Sequence, residues 1–253
     1  MSDPAVQSSA EVTPGLSQGQ RFTSVFSAPS KTFNDIKRGN RSWWLPFIVM
    51  VVFGYVFFAA ITMKVGWNQV AQNTVHMSPK AEEQMSQLPK DQQDMRMKFT
   101  AYAMEGSFAA TPLIVLAVVA IASLVLWGTI NFAFGGKATF GSIFAVYMYA
   151  GLPGVIKTIL GTVVLFLGMA PESFNLNNFA PTNLGAFLSP SDTSPALYKL
   201  ATAIDFTTIW SMVLLGIGIA IVAGVKRTSG YIAVFGWWAL LTIVSVGWAA
   251  MMS

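Results

Sequence analysis

Lys157 is the residue whose position most suggests a chemical role. It is the one ionisable side chain inside a long apolar segment, and it follows Gly151-Leu152-Pro153-Gly154, a sequence that interrupts a helix. A charged ammonium in hydrocarbon is costly, so such a residue is a functional hypothesis by default. One interpretation is that Pro153 breaks the helix and exposes backbone carbonyls beside a buried cation, as discontinuous helices do in transporters.

Two alternatives stay open for Lys157. A pairing partner could be Asp205 or Glu172, although both are expected near the outer boundary, several helical turns away. The second interpretation needs no function: if Phe140–Leu152 lies along or enters obliquely from the interface, the span is Gly154–Ala170. Lys157 then stands one turn inside the inner leaflet and snorkels to the headgroups.

Few other residues could carry chemistry. The chain has one histidine, His76, and no cysteine, which excludes disulfides, thiolate catalysis and cysteine-ligated metals. The Gly135–Thr139 sequence lacks the first glycine and the hydroxyl of a phosphate loop and reads as a tight turn. No nucleophile and base pair can be assembled, so we expect no enzyme, no cofactor and no metal site.

Five apolar stretches must position these residues. Hydrophobic residues make up 54% of the 253 and charged residues 10%, well below the charge of a soluble domain. Each stretch is at or near the roughly 20 residues that a membrane-crossing helix needs. The sequence therefore predicts an all-α polytopic membrane protein with a five-helix bundle. The predicted spans are Trp43–Ile61, Thr111–Phe134, Phe140–Ala170 with a break near Pro153, Phe206–Val225 and Ile232–Met252.

Three regions follow from this division: residues 1–20, residues 21–42 and the membrane domain 43–252. The first lacks periodicity and large apolar groups, and we expect a disordered cytoplasmic tail. The second contains Pro29–Lys37, which reads as a short amphipathic helix. On the inner leaflet it would bury Phe33 and Ile36. The bases Lys37, Arg38 and Arg41 would meet anionic headgroups, although the aromatic side chains could equally pack on the protein's own helices.

Two further patterns concern the loops and the helix contacts. The first long loop carries two helix signals, Ser78-Pro79 and Pro89, and we expect two short helices that cover the mouth of the bundle. The second long loop, from Pro171 to Pro195, is expected to be irregular. Gly216, Ala220 and Gly224 share one face of the fourth span and allow close approach of another helix, within the chain or in an oligomer.

The charges between the spans predict an orientation. With the N-terminus in the cytoplasm, that side holds eight basic and three acidic residues, whereas the opposite side holds six basic and eight acidic residues. Basic side chains resist translocation, and the short loops lie on the basic side. We therefore expect the N-terminus inside and the C-terminus outside.

Three short sequences resemble the bacterial branch of the Yip1 family in their order and position. They are Phe26-Ser-Ala-Pro29-Ser-Lys-Thr-Phe33 with Trp43-Trp44-Leu-Pro46, Phe134-Gly-Gly-Lys-Ala-Thr-Phe140, and Tyr149-Ala-Gly-Leu-Pro153. The resemblance implies a five-span, non-enzymatic protein of the bacterial inner (plasma) membrane. Eukaryotic members bind Rab-type GTPases, but the Asp-Leu-Tyr-Gly-Pro segment of their N-terminal regions is missing here, which argues against GTPase binding.

These observations favour a membrane scaffold or accessory subunit. Its expected partners are the lipid bilayer and a membrane protein or a second copy of the chain, with no nucleic acid. The alternative is a small transporter or lipid-handling protein that uses the broken third helix.

Overall fold

The computed structural model describes residues 15–190 and 192–251, which fold as helices, turns and loops without a strand. Five helical segments are long and apolar enough to cross a bilayer. They are α3 (Trp44–Lys64), α7 with a π-helical last turn (Thr111–Gly128 and Thr129–Ala133), α8 with α9 (Phe140–Ala150 and Pro153–Phe166), α11 (Phe206–Ala223) and α12 (Arg227–Met251). The predicted all-α membrane fold with five spans is confirmed.

The shorter helices lie before and between these spans. They are α1 (Gln18–Ser27), α2 (Pro29–Lys37), α4 (Trp67–His76), α5 (Pro79–Ser86), α6 (Lys90–Ala109) and α10 (Pro195–Ala203). The two predicted loop helices correspond to α5 and α6; Ser78 Oγ accepts the Ala81 amide of α5, and Pro89 is the N-cap of α6. Helix α4 was missed, and α10 forms in a loop whose preceding part is irregular.

One end of the bundle, which we call the short-turn end, carries the two tight connections at residues 134–139 and 224–226. The Asn131 amide group both donates to and accepts from the Ala138 backbone, at 2.9 and 3.0 Å. Lys137 N donates to Ala223 O at 3.0 Å and joins the two turns. Gly135, with φ of +68°, takes a left-handed conformation that favours glycine. The Gly135–Thr139 sequence is thus a hydrogen-bonded turn.

The opposite end, the long-loop end, is covered by residues 65–110 and 167–205. A second apolar cluster forms there around Phe57, Ile61, Trp67 and Phe174. The Asn73 amide donates to the carbonyls of Pro171 and Phe174 at 2.8 and 2.9 Å. Because these bonds join the two long loops, residues 65–110 and 167–205 form a single packed layer over the long-loop end.

The N-terminal amphipathic segment packs on the protein's own helices. Helix α2 contacts α8 and α11, and Phe33 and Ile36 are fully buried. A Cβ at Gly218 of α11 would lie 3.0 Å from a carbon of the Phe33 ring, so the glycine makes room for that ring. Of the two interpretations of this face, packing on the protein's own helices is therefore the one that the structure supports for Phe33 and Ile36, and not burial in the membrane surface. The basic side chains of the same prediction remain exposed: Lys37, Arg38 and Arg41.

A buried ion pair holds α1 to α2. Arg21 Nε lies 3.1 Å from Asp35 Oδ2, with the two side chains 1% and 4% exposed. The Arg21 guanidinium also donates to the carbonyls of Asn40 and Ser42, and the Leu16 amide donates to Asp35. Burying these charges is tolerable because the guanidinium and the carboxylate meet each other and further polar groups.

This docking shortens the predicted disordered tail. Ser17 and Gln20 form a capping box, and α1 begins at Gln18, whose side chain accepts the Tyr149 hydroxyl at 2.8 Å. The last three residues of the predicted tail are therefore helical. Residues 1–14 lie outside the described part of the chain.

Two of the three small residues predicted to pack helices lie against α12. A Cβ on Gly216 would lie 2.5 Å from the Tyr231 ring, and one on Gly230 would lie 3.0 Å from Ala220 Cβ. Gly224 has another role: with φ of +70° it ends α11 in a left-handed cap, and nothing lies within 4 Å of a Cβ built on it. It therefore belongs to the turn rather than to the helix contact.

Candidate functional site

The third span changes direction at the predicted break. Helix α8 ends at Ala150, Gly151 and Leu152 form a turn, and Pro153 begins α9 at a position where a missing amide is tolerated. The turn is closed by bonds from Leu152 N to Tyr149 O and from Gly154 N to Gly151 O. The break is consequently a tight bend with its carbonyls bonded, not an unwound stretch.

Helix α8 belongs to the core and is not an interfacial lead-in. Ile143, Ala145, Val146, Met148 and Tyr149 are fully buried. It packs against α7 and α11, whereas α9 packs against α3 and α11. The interpretation in which Phe140–Leu152 lies along the interface is therefore wrong, because this stretch is buried between α2, α7 and α11.

Lys157 lies near the long-loop end, opposite to the end expected for a snorkelling residue. It lies on α9 within reach of Asp205, the residue at which α11 begins after the long loop 167–205. Its Nζ lies 3.0 Å from Asp205 Oδ2, with side-chain exposures of 22% and 2%. Of the two candidate partners the structure brings Asp205 to Lys157, and this arrangement differs from the second interpretation, in which Lys157 stands free near the end of the span that begins at Gly154.

Asp205 accepts four hydrogen bonds. Oδ1 accepts from Thr207 Oγ1 at 2.6 Å and from the Thr208 amide at 3.0 Å, which makes Asp205 the N-cap of α11. Oδ2 accepts from Lys157 and from Thr182 Oγ1 at 2.6 Å. Residues 183 and 205 form an isolated β-bridge, which places Thr182 beside the carboxylate.

These partners fix the charge state of the carboxyl. Burial acts to raise the pKa of Asp205, but hydrogen bonds from the three threonines and from Lys157 outweigh it and hold the pKa well below its ordinary value. The aspartate is ionised at neutral pH. Lys157 also lies over the Phe179 ring, 5.4 Å from its centroid.

A cleft of about 670 Å³ opens beside this ion pair. Helices α8 and α11 form its floor, and α7 and α12 form its walls. The walls are apolar: α7 contributes Val118, Ile121 and Val125, and α12 contributes Val234, Trp237 and Leu241.

The cleft opens toward the side of the bundle. Ile121, Val118 and Leu241 are 66%, 53% and 62% exposed, although they line the cleft. Near the short-turn end the two walls meet where Trp237 Nε1 donates to Thr129 Oγ1 at 2.9 Å. In a bilayer, this opening faces lipid rather than water.

The polar groups of the cleft gather at its long-loop end. They are Lys157 and the residues Thr207, Thr208 and Ser211 of α11, while Gly151 and Gly154 supply backbone without side chains. Within the described residues, no group of three or more histidine and acidic side chains could hold a metal ion. The arrangement suits the binding of an amphiphile.

Sequence reasoning found Lys157 and Pro153 and named Asp205 as one of two candidate partners, but it missed the cleft and placed Asp205 several helical turns away from Lys157. The start of α11 carried one usable signal: Asp205 followed by Thr207 and Thr208 is a helix N-cap pattern. That signal predicts where α11 begins, but not which distant cation would face it.

The family model described as the Yip1 domain matches residues 23–249, nearly the whole chain. No curated protein and no solved structure gives a significant match.

The ion pair yields a stability prediction. Lys157→Met leaves the Asp205 carboxylate buried without its cation. We expect the free energy of unfolding to fall by about 3 kcal/mol, the low end for a buried pair, because Lys157 is 22% exposed. Adding Asp205→Asn should recover part of this loss, because asparagine removes the charge and still caps α11. Unfolding in detergent micelles at pH 7 measures both; equal stability of Lys157→Met and the wild type would contradict the prediction.

The same pair predicts an acid dependence. The pKa of Asp205 in the folded protein is lowered from 3.8. The stabilisation that the ionised carboxylate gives to the folded state is therefore present above pH 3.8 and is lost as the pH falls toward the folded pKa. The wild type should therefore lose more stability than Asp205→Asn between about pH 4 and pH 2 in the same unfolding assay.

Proposed function

The chain belongs to the Yip1 domain family, and from that premise we propose that it is a membrane-embedded lipid-binding protein that holds an amphiphile in the cleft between α7 and α12. The observation that carries the proposal is the shape and chemistry of this cleft. Its walls are apolar and open sideways, and its polar groups lie at one end only. A lipid has the same division into an apolar chain and a polar head.

The size of the cleft supports the same conclusion. Sites for small molecules span roughly 300–1,000 Å³ and are mostly apolar with a few placed polar groups. Water is a poor occupant of such walls at membrane depth, whereas an acyl chain fills them. The proposed role is binding without a chemical step, in keeping with the absence of an assembled nucleophile and base in the sequence.

A change that fills the cleft should displace the lipid. Ala122 on α7 lines the cleft, and Ala122→Trp places an indole where the chain would lie. Ala117→Trp is the matched control, because Ala117 is an exposed alanine of the same helix that does not line the cleft. We expect Ala122→Trp to retain about tenfold less lipid after purification, measured by mass spectrometry of extracted lipids. Equal retention by the two variants would refute binding in the cleft.

We further propose that the protein lies in the bacterial inner membrane with the short-turn end and the N-terminus in the cytoplasm and the C-terminus outside. Basic residues gather at the short-turn end: Arg227 donates to Ser30 of α2, and Lys37, Arg38, Lys137 and Lys226 lie on the same loops and helix ends. Positive charge near short loops favours the cytoplasmic side.

The cysteine-free sequence makes this orientation easy to test. Lys226→Cys and Lys199→Cys place single thiols at exposed positions of the short-turn and long-loop ends. A membrane-impermeant maleimide should label Lys199→Cys in intact cells and Lys226→Cys only after permeabilisation. The reverse pattern would invert the proposed topology.

A second candidate role, as an accessory subunit or scaffold, is favoured by α6. This helix has two opposite apolar faces. One face packs into the second apolar cluster, at the long-loop end, through Met97, Ala101, Met104 and Phe108. Met95, Phe99 and Tyr102 point outward and are 67%, 73% and 71% exposed. An exposed apolar stripe of this kind is typical of a contact with a protein partner or a second copy.

A photoreactive residue in place of Phe99 tests this role. We expect it to crosslink one protein species, or a second copy, in native membranes, whereas the same residue at the exposed Ser107 position, on another side of α6, should not. Equal, diffuse labelling at both positions, with no discrete product, would count against a stable partner on this face.

A further inference from the structure

We propose that the cleft selects a lipid with an uncharged, hydrogen-bonding headgroup of the acylglycerol type. This inference rests on the proposed lipid-binding function and names the class of ligand that the site would take. Three features carry it: the charge balance at the long-loop end, two hydroxyls without partners, and the depth of the cleft.

The charged groups of the site already neutralise each other. Lys157 Nζ and Asp205 Oδ2 are 3.0 Å apart, and the carboxylate is 2% exposed with all its acceptor positions engaged by Lys157, Thr182, Thr207 and Thr208. A phosphate that approached the ammonium would also approach this carboxylate. Attraction and repulsion would then nearly cancel, so an anionic head gains little here.

Two hydroxyls of the cleft are available to a ligand. Those of Thr208 and Ser211 make no hydrogen bond to any of the residues that the structure describes, and both side chains are half-buried. Other helical threonines bond their own backbone: Thr158 and Thr162 donate to the carbonyls four residues earlier. Thr208 and Ser211 are three residues apart and share one face of α11, so they can meet two oxygens of one headgroup.

The depth of the cleft fits an acyl chain within one leaflet. Its α7 wall runs from Val118 to Leu126 and its α11 floor from Thr207 to Leu215, so in each helix the end residues are eight positions apart. Eight residues of helix rise about 12 Å. One leaflet contributes about 15 Å of a hydrocarbon core that is about 30 Å thick. A chain whose head meets Thr208 and Ser211 therefore extends along the cleft toward the middle of the membrane.

Uncharged esters and hydroxyls match these groups better than phosphates do. A glycerol ester offers carbonyl acceptors for the two hydroxyls, and its free hydroxyl can donate to them or accept from the remaining N–H groups of Lys157. No net charge has to be buried beside the ion pair.

The test compares two lipids with the same chains. The full-length protein, purified and stripped of bound lipid, is offered dioleoylglycerol or dioleoylphosphatidylglycerol in detergent micelles, and bound lipid is measured by native mass spectrometry. We expect at least about fivefold greater occupancy by dioleoylglycerol. The double variant Thr208→Val and Ser211→Ala should lower that occupancy about fivefold or more, the factor for about one ordinary hydrogen bond.

Two further variants separate the headgroup effect from loss of structure. Thr162→Val removes a hydroxyl that is bonded within α9 and should leave both occupancies unchanged. Asp205→Asn removes the carboxylate charge, leaves Lys157 as a net cation and should raise occupancy by phosphatidylglycerol several-fold. A variant that merely loosened the fold would not increase the binding of one lipid.

Preference of the wild type for phosphatidylglycerol, with no effect of the Thr208 and Ser211 changes, would overturn the headgroup assignment and leave lipid binding intact. Binding of neither lipid would instead overturn lipid binding in the cleft, and the headgroup assignment with it. The two failures are thus distinguishable.

Discussion

The contact between Lys157 and Asp205 sets the height at which α9 meets α11, and the site is arranged around it. A carboxylate 2% exposed is tolerated at that depth because it receives two threonine hydroxyls, a helix amide and an ammonium. The same carboxylate begins α11. One residue therefore fixes the start of the fourth span, its register against the third span and the charge balance at the mouth of the cleft.

A second ion pair fixes the contact between two helices at the short-turn end. Arg21 and Asp35 are buried between α1 and α2, where hydrogen bonds from the chain accompany the charge contact. Removing either partner would leave an isolated buried charge, so the ion pair stabilises the docking of α1 on α2. The two pairs give each end of an otherwise apolar bundle a polar contact with fixed geometry, which apolar packing alone supplies less well.

The sequence was sufficient for the spans because span length and hydrophobicity are local properties. Turn glycines and helix caps are local as well, and Gly135–Thr139, Ser78 and Pro89 behave as their residue types indicate. The ion pairs were not predictable in the same way. Lys157 and Asp205 are 48 positions apart, and only the bundle decides that they share a height. The sequence left two placements open for Phe33 and Ile36 for a related reason: an amphipathic pattern shows that a face is buried, but not whether lipid or protein buries it.

The cleft follows from the change of neighbours within the third span. Helix α8 packs against α7, but beyond the bend at Gly151 the continuing helix α9 packs against α3 instead. Space opens where the segment leaves α7, and Gly151 and Gly154 add no side chains to fill it. A Cβ built on Gly154 would meet nothing within 4 Å. The apolar α7 and α12 walls are thus left facing each other across a gap, and Lys157, one turn beyond the bend, is carried to the end of that gap where Asp205 begins α11. The break at Pro153 and the charge of Lys157 therefore belong to the same site: the bend opens the cleft, and the ion pair gives the cleft a polar end.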